Sequence, residues 1–211
     1  MKLLIGSKNR DKFTEISEIF TELEIELVSG ADLRDLPDVL EDADTIEGNA
    51  IKKAREMAME SGMVTLADDT GLFVDTLSGN PGVYSARYAG ERCSYRDNRL
   101  KLLKEMQNKQ VRTARFVTVA ALADAKGNLL ATTTGKVEGE IILKERGNKG
   151  FGYDSIFLCH ETGLTFAEMD SEQKHQVSHR GRAIRKMIDL LKNLKNNKRS
   201  DYGKSKNIQA I

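Results

Sequence analysis

The chain has no apolar run long enough to cross a bilayer, and its first apolar stretch, Leu3, Leu4 and Ile5, is too short for the hydrophobic region of a signal peptide. A cytoplasmic protein without a membrane partner is expected. Cysteine is nearly missing: Cys93 and Cys159 stand far apart in unrelated contexts, which excludes a disulfide framework or a zinc pattern and leaves two reduced structural thiols. No internal repeat occurs. A basic surplus is also lacking, because the formal net charge is +1. The last twenty residues hold six basic side chains against Asp201 alone, which leaves residues 1–191 near −4. That is no nucleic-acid signature for the folded part.

With 39% hydrophobic residues among 211, the chain can bury a proper core as a single two-lobed domain over residues 1–194. Beyond Leu194 the apolar spacing stops, and residues 195–211 read as a basic, disordered tail.

Residues 2–15 step from an apolar strand into a helix through a turn holding Gly6, Ser7, Asn9 and Lys12. Free backbone N–H groups and the positive end of a helix dipole converge in such a turn, and these three polar side chains add donors, so it reads as a phosphate cradle. It lacks the Gly-x-x-x-x-Gly-Lys-Ser/Thr spacing of a P-loop, which sets aside the usual ATP or GTP reading.

Apolar spacing predicts a helix over 10–23, a strand over 25–28, a helix over 47–61 and a short strand over 64–67 that ends in Asp68 and Asp69. Ser94 is placed to cap a further helix with apolar positions Leu100, Leu102, Leu103 and Met106. Segments 116–125 and 129–137 read as a long hairpin that extends the sheet into a second lobe, 155–159 as a strand, and Ser178 as the start of the last helix.

Three groups of residues carry chemistry. Asp68 and Asp69 close a strand where open α/β sheets place ligands, and the acidic loop 32–47 contributes oxygens suited to a hard cation. One carboxylate not committed to Mg²⁺ is free to orient a water for attack on phosphorus. In the glycine-rich stretch 147–154, Phe151 offers a face for a nucleobase and Asp154 an acceptor for a ring N–H. His179 and Arg180, at a helix start, suit a carbonyl on a base edge, which separates a 6-oxo from a 6-amino purine. His160 and His175 have no partner pattern.

Six ordered segments together resemble the inosine triphosphate pyrophosphatase family. They are Ser7-x-Asn9-x-x-Lys12, Thr45-Ile46-Glu47-Gly48-Asn49-Ala50, Ala67-Asp68-Asp69-Thr70-Gly71-Leu72, Pro81-Gly82-Val83-Tyr84-Ser85-Ala86-Arg87-Tyr88, Gly150-Phe151-Gly152-Tyr153-Asp154 and Ser178-His179-Arg180. The resemblance spans residues 1–194. It implies a mixed α/β fold with an elongated central sheet and a deep cleft, a homodimer, and Mg²⁺-dependent hydrolysis of ITP, dITP and XTP to the monophosphate and pyrophosphate. It further implies a triphosphate site at Ser7, Lys8, Asn9, Arg10, Asp11 and Lys12, assisted by Lys53. By the same resemblance Glu41 and Asp69 are metal ligands, Asp69 is the general base and Thr70 a substrate contact. Phe151, Gly152, Tyr153, Asp154, Lys174, His179 and Arg180 match base-recognition positions. Ser7 and Thr70 exchange hydroxyl for hydroxyl against the common pattern, while Gly48 stands for a frequent acidic residue and Ser155 for a typical proline. Two alternatives stay open: a Maf-type pyrophosphatase for modified pyrimidine nucleotides, and a non-catalytic nucleotide sensor.

Overall fold

The structure, a computed structural model, describes residues 2–22, 24–34 and 36–205. Its scaffold is one mixed sheet with strands in the order β2-β1-β3-β5-β6-β7. β1 (Lys2–Ile5) pairs in parallel with β2 (Glu26–Ser29) and, through Leu4 and Ile5, with the start of β3 (Thr65–Val74). β3 runs on past the end of β1. Along all ten of its residues it pairs antiparallel with β5 (Thr113–Ala123), and its far end also holds the short β4 (Pro81–Gly82). β5 pairs with β6 (Leu129–Ile141), and β6 with β7 (Phe157–Cys159). The anticipated hairpin is therefore present and carries the sheet into the second lobe.

β3 differs from expectation in one respect. The strand does not stop at Ala67, so Asp68 and Asp69 lie within it. Their position is still at the mouth of the parallel part, because β1 ends opposite Leu66 and leaves that side of β3 without a strand partner. The cleft opens in this gap.

α1 (Arg10–Ile19) is shorter than its apolar spacing suggests, giving way to a 3₁₀ turn at Phe20–Glu22. α2 (Ile46–Ser61) buries Ile46, Asn49, Ala50, Lys53, Ala54, Met57 and Ala58, a stripe at three- and four-residue spacing that includes two polar residues. Thr45 caps its start and Gly62, with φ of 64°, ends it. α3 (Tyr95–Met106) opens on a reciprocal cap between Ser94 and Asp97, as expected, but Leu100 points to solvent at 48% exposure.

α4 (Ser171–Val177) is not legible from apolar spacing, since Val177 is its one aliphatic side chain. The available signal is the Asp170-x-x-Gln173 cap, in which each side chain meets the other residue's backbone N–H. α5 (His179–Ser205) continues beyond Leu194, into the segment expected to be a disordered tail. Side chains from residue 194 onward, and all of 206–211, lie outside the described residues. No helix among the described residues is long and apolar enough to cross a membrane.

Two packing layers matter for the site. On one face of the sheet, Leu3, Ile5, Leu66 and Leu122 pack with Ile16 of α1 and Ile184 and Met187 of α5. On the other, the small residues Ala50, Ala54 and Ala58 of α2 lie against Ala67, Val119 and Ala121. The second lobe has its own core of Leu72, Leu102, Phe116, Phe157 and Phe166. α5 approaches β6 at Gly135, where a Cβ would overlap the His179 carbonyl oxygen and the Ala183 nitrogen. Gly135→Ala is therefore expected to push α5 away from the sheet and destabilise the fold by about 1–3 kcal/mol, lowering the thermal midpoint. A midpoint within about 1 °C of wild type, small on the scale set by that energy, would show that the close approach is not needed.

Candidate active site

Neighbouring side chains on a strand point to opposite faces of the sheet, and on β3 this separates the two aspartates. Asp68 and Thr70 share one face, toward α1 and α5, whereas Asp69 faces α2. Lys12 Nζ lies 3.2 Å from Asp68 Oδ2, and Arg180 donates to that same oxygen from Nη2 at 3.2 Å and Nε at 3.3 Å. Burial opposes ionisation of Asp68, but Lys12 and Arg180 outweigh it and hold the carboxyl far below the usual range. Its Oδ1 is buried and meets no donor among the described residues.

Asp69 behaves in the opposite sense. It accepts from Lys53 Nζ at 3.1 Å and from Asn49 Nδ2 at 3.3 Å, and both donors project from the buried face of α2. Burial pushes its pKa above the ordinary value, and Lys53 only partly offsets this. Two adjacent carboxyls thus have their proton affinities driven apart. One is a fixed charge and the other a group with basicity to spare.

Lys53 also reaches Glu41 Oε1 at 2.5 Å, so Glu41 and Asp69 converge on one ammonium. Burial favours the neutral form of Lys53, yet Asp69 and Glu41 raise its pKa above 10.5. The loop bearing Glu41 is held from behind by Arg87, which donates to the Glu41 carbonyl at 2.7 Å and stands 3.6 Å from its carboxylate. Elsewhere in the acidic segment, Asp42 pairs with Lys52 and Asp32 with Arg10.

The turn before α1 is partly self-satisfied, which corrects the picture of free donors. Asn9 Oδ1 accepts from the backbone N–H groups of Asp11 at 2.9 Å and Lys12 at 3.3 Å, a helix cap. Ser7 Oγ accepts from the Asn9 N–H at 3.2 Å, and Lys8 pairs with Asp38 at 2.8 Å. Ser7, Lys8, Asn9 and Lys12 line the cleft. Arg10 and Asp11 are not brought into it: Arg10 turns to Asp32 on the surface, and Asp11 leans on Tyr95.

At the other end of the cleft, Asp154 Oδ2 accepts from the Phe151 N–H at 2.9 Å and from Lys174 Nζ at 2.6 Å. One oxygen of the expected base acceptor is thus spent on folding its own loop, which Gly150 and Gly152 allow by taking φ of 70° and 61°. Tyr153 is a support: its hydroxyl donates to the Ser85 carbonyl at 2.9 Å, and its ring belongs to the second-lobe core. Phe151 lies with Lys174 Nζ 5.3 Å and Arg180 Cζ 5.6 Å from its ring centre.

His179 stacks on Phe116 and lies beside Phe166, with ring centres 4.5 and 5.8 Å away, and the two phenyl rings are themselves 6.0 Å apart. Burial, reinforced by Arg180, pushes its pKa well below 6.5, so the ring is neutral. Its Nδ1 is buried with no partner among the described residues. Ser178 Oγ accepts from the Gly181 N–H at 3.0 Å and starts α5, as the sequence suggests. Arg180, expected as a donor to substrate, lines the cleft and also donates to Asp68, Glu15 and Thr70. Thr70 Oγ1 also shares a 2.6 Å hydrogen bond with Thr118.

Glu15 is the main residue that motif reading misses. It accepts from Lys174 Nζ at 2.5 Å and from Arg180 Nη1, tying α1 to α4 and α5. Burial works against its charge, but Arg180 and then Lys174 bring its pKa down to about 2. The available signal is position: Glu15 sits one turn after Lys12 and beside Ile16, a polar residue on the buried face of an amphipathic helix.

The cleft holds about 300 Å³. Cationic groups and carboxylates gather at its floor, and an aromatic wall with a neutral imidazole lies at its far end. A sequence profile of the Ham1 family matches residues 3–190. Among curated sequences, the dITP/XTP pyrophosphatase of Flavobacterium johnsoniae is 45% identical over 192 residues, which cover 90% of this chain and 98% of that protein. The dITP/XTP pyrophosphatase of Geobacter sulfurreducens is 44% identical over 192 residues, covering 90% and 96% of the two chains. Among solved structures, a HAM1 protein from Coxiella burnetii superposes with a TM-score of 0.82 at 35% identity, covering 92% of this chain and 99% of that one. The Staphylococcus aureus Ham1 protein does so with 0.80 at 37% identity and the same coverage. By profile, sequence and structure alike, the chain belongs to the Ham1 family.

Proposed function

We infer that the chain is a Mg²⁺-dependent nucleoside triphosphate pyrophosphatase that converts ITP, dITP and XTP to the monophosphate and pyrophosphate, acting as a cytoplasmic homodimer to clear deaminated purines. The observation that carries the reading is the contrast between Asp69, which lines the cleft beside Lys53 and Glu41, and Asp68, which is buried behind it on Lys12 and Arg180, supported by relatives named dITP/XTP pyrophosphatase.

In this reading Asp69 takes a proton from the water that attacks the α-phosphorus, while the bond to the β-phosphate oxygen breaks and pyrophosphate leaves. Lys12 and Lys8 hold the phosphates, and Lys53 keeps Asp69 and Glu41 oriented. No group of three or more metal-ligating side chains occurs among the described residues, but Glu41 and Asp69 fit a hard cation, since both aim oxygens at one positive centre. Mg²⁺ suits such a sparse donor set because it retains waters and takes further oxygens from the phosphates. When bound, it supplies charge neutralisation at phosphorus and lowers the pKa of a coordinated water.

Base choice rests on His179. A neutral imidazole has one N–H and one bare nitrogen, and leaving the bare nitrogen at the sealed, unpartnered Nδ1 spares the heavier penalty of a buried orphan donor. Nε2–H is then the donor for a ligand. It suits a 6-oxo group and is left unmatched by a 6-amino group.

Pyrophosphate release across ITP, dITP, XTP, GTP, ATP and UTP, with and without Mg²⁺, tests the reading. For ITP and XTP, kcat/KM should exceed that for ATP by about 10- to 100-fold, the range expected from one unpaired buried polar group. Equal values for the purines overturn base selection, and turnover of UTP without ITP favours the pyrimidine alternative.

A further inference from the structure

Tyr95, the first residue of α3, spans the two ends of the cleft. Its hydroxyl accepts from Asn9 Nδ2 at 2.8 Å and donates to Asp11 Oδ2 at 3.4 Å. Its ring meets Phe151 with centres 5.7 Å apart and planes inclined at 38°. Asn9 and Asp11 belong to the phosphate turn, and Phe151 to the aromatic wall. In a nucleotide the pentose joins those two parts, so a side chain touching both flanks the sugar.

We propose that Tyr95 is a positioning residue that clips the phosphate turn to the base platform across the pentose. The proposal rests on the nucleotide reading above. The Ser94 and Asp97 cap holds the Tyr95 backbone, so its position does not depend on what fills the cleft. At 38% exposure its side chain lines the cleft rim without serving as core. By taking the Asn9 Nδ2 donor, the hydroxyl also turns Asn9 Oδ1 toward the Asp11 and Lys12 N–H groups and so sets the cap itself. The ring, separately, limits the travel of Phe151.

Tyr95→Phe removes the hydroxyl and keeps the ring, whereas Tyr95→Ala removes both. The readouts are steady-state hydrolysis of ITP and calorimetric binding of inorganic tripolyphosphate, a probe that has no base or sugar and needs no turnover. Tyr95→Phe is expected to weaken tripolyphosphate binding and to raise KM for ITP by about three- to tenfold each, the range of one net hydrogen bond, with kcat within about twofold of wild type. Tyr95→Ala is expected to raise KM for ITP by about threefold more, the low end for a lost aromatic pair, with no further change in tripolyphosphate affinity. Both variants within about twofold of wild type in KM and in tripolyphosphate affinity would overturn the proposal, as would a fall in kcat at unchanged KM. Wild-type protein that binds tripolyphosphate but does not turn over ITP would overturn the nucleotide reading instead.

Discussion

Asp69→Asn is expected to slow pyrophosphate release from ITP by about 10²- to 10⁴-fold, the usual contribution of a positioned general base, with KM changed by less than about threefold. The amide keeps the shape of the carboxylate and its oxygen can still accept from Lys53 or Asn49, so the fold and the phosphate contacts should survive. What is lost is a proton acceptor. The pH profile provides a second check with a definite sign. Asp69 must be ionised to act, and its pKa lies above the ordinary 3.8, so kcat/KM should fall as pH drops through that raised value. The same acid limb should be missing from the residual activity of the variant. Asp68→Asn is expected to differ in kind, because it leaves Lys12 without its counter-charge and Arg180 with Glu15 alone, and so acts first on stability. An Asp69→Asn enzyme with near wild-type kcat would overturn the assignment of Asp69 as the base.

Arg180→Met is expected to destabilise the protein by about 3–5 kcal/mol, the range for removing one partner from a buried ionic cluster. Arg180 is buried among Asp68, Glu15 and Thr70, and its loss leaves Asp68 with Lys12 and Glu15 with Lys174. A matching acid sensitivity follows from Glu15. Its pKa falls from 4.5 to about 2 on folding, so its contribution is fully present above pH 4.5 and is lost as pH falls toward 2. By linkage that contribution is about 3 kcal/mol in wild type, and it should shrink in the variant as Glu15 titrates closer to 4.5. Urea midpoints at pH 7, 4.5 and 3 measure both effects. A variant as stable as wild type at pH 7 would mean that the carboxylates relax to water, and that the cluster contributes orientation only.

Local signals are sufficient for much of the fold. The apolar stripes of α1 and α2, the cap at Ser94, and the long Val- and Thr-rich hairpin all lie where spacing and turn residues put them. These features depend on a residue and its near neighbours, so the chain states them directly. α4 escapes such a reading because its stability comes from a polar cap and tertiary contacts, not from an apolar face. β3 reads short because its polar middle, Asp68, Asp69 and Thr70, breaks the strand pattern, and pairing with β5 carries it through.

For the site, residue type and spacing mark Lys12, the Asp68 and Asp69 pair, Phe151 and His179, the family resemblance adds Glu41 and Lys53, and the structure sets Lys12, Glu41, Lys53, Asp69, Phe151 and His179 around one cleft. Residue type and spacing do not tell the two aspartates apart, and the resemblance that singles out Asp69 gives no physical reason for the choice. Strand alternation sends one toward Lys12 and Arg180 and the other toward Lys53, and those surroundings, built from helices up to 112 residues distant, decide which charge is fixed and which is basic. The same holds for Asn9, Arg180 and Glu15. Their types suggest donors, acceptors or nothing, and their burial against partners remote in sequence makes them a cap, an internal counter-ion and a hub. Residue type and spacing determine which groups can take part; the proton affinities and free valences that divide the labour among them arise from desolvation and charge at distances of about 3 Å, which exist only once the chain has folded.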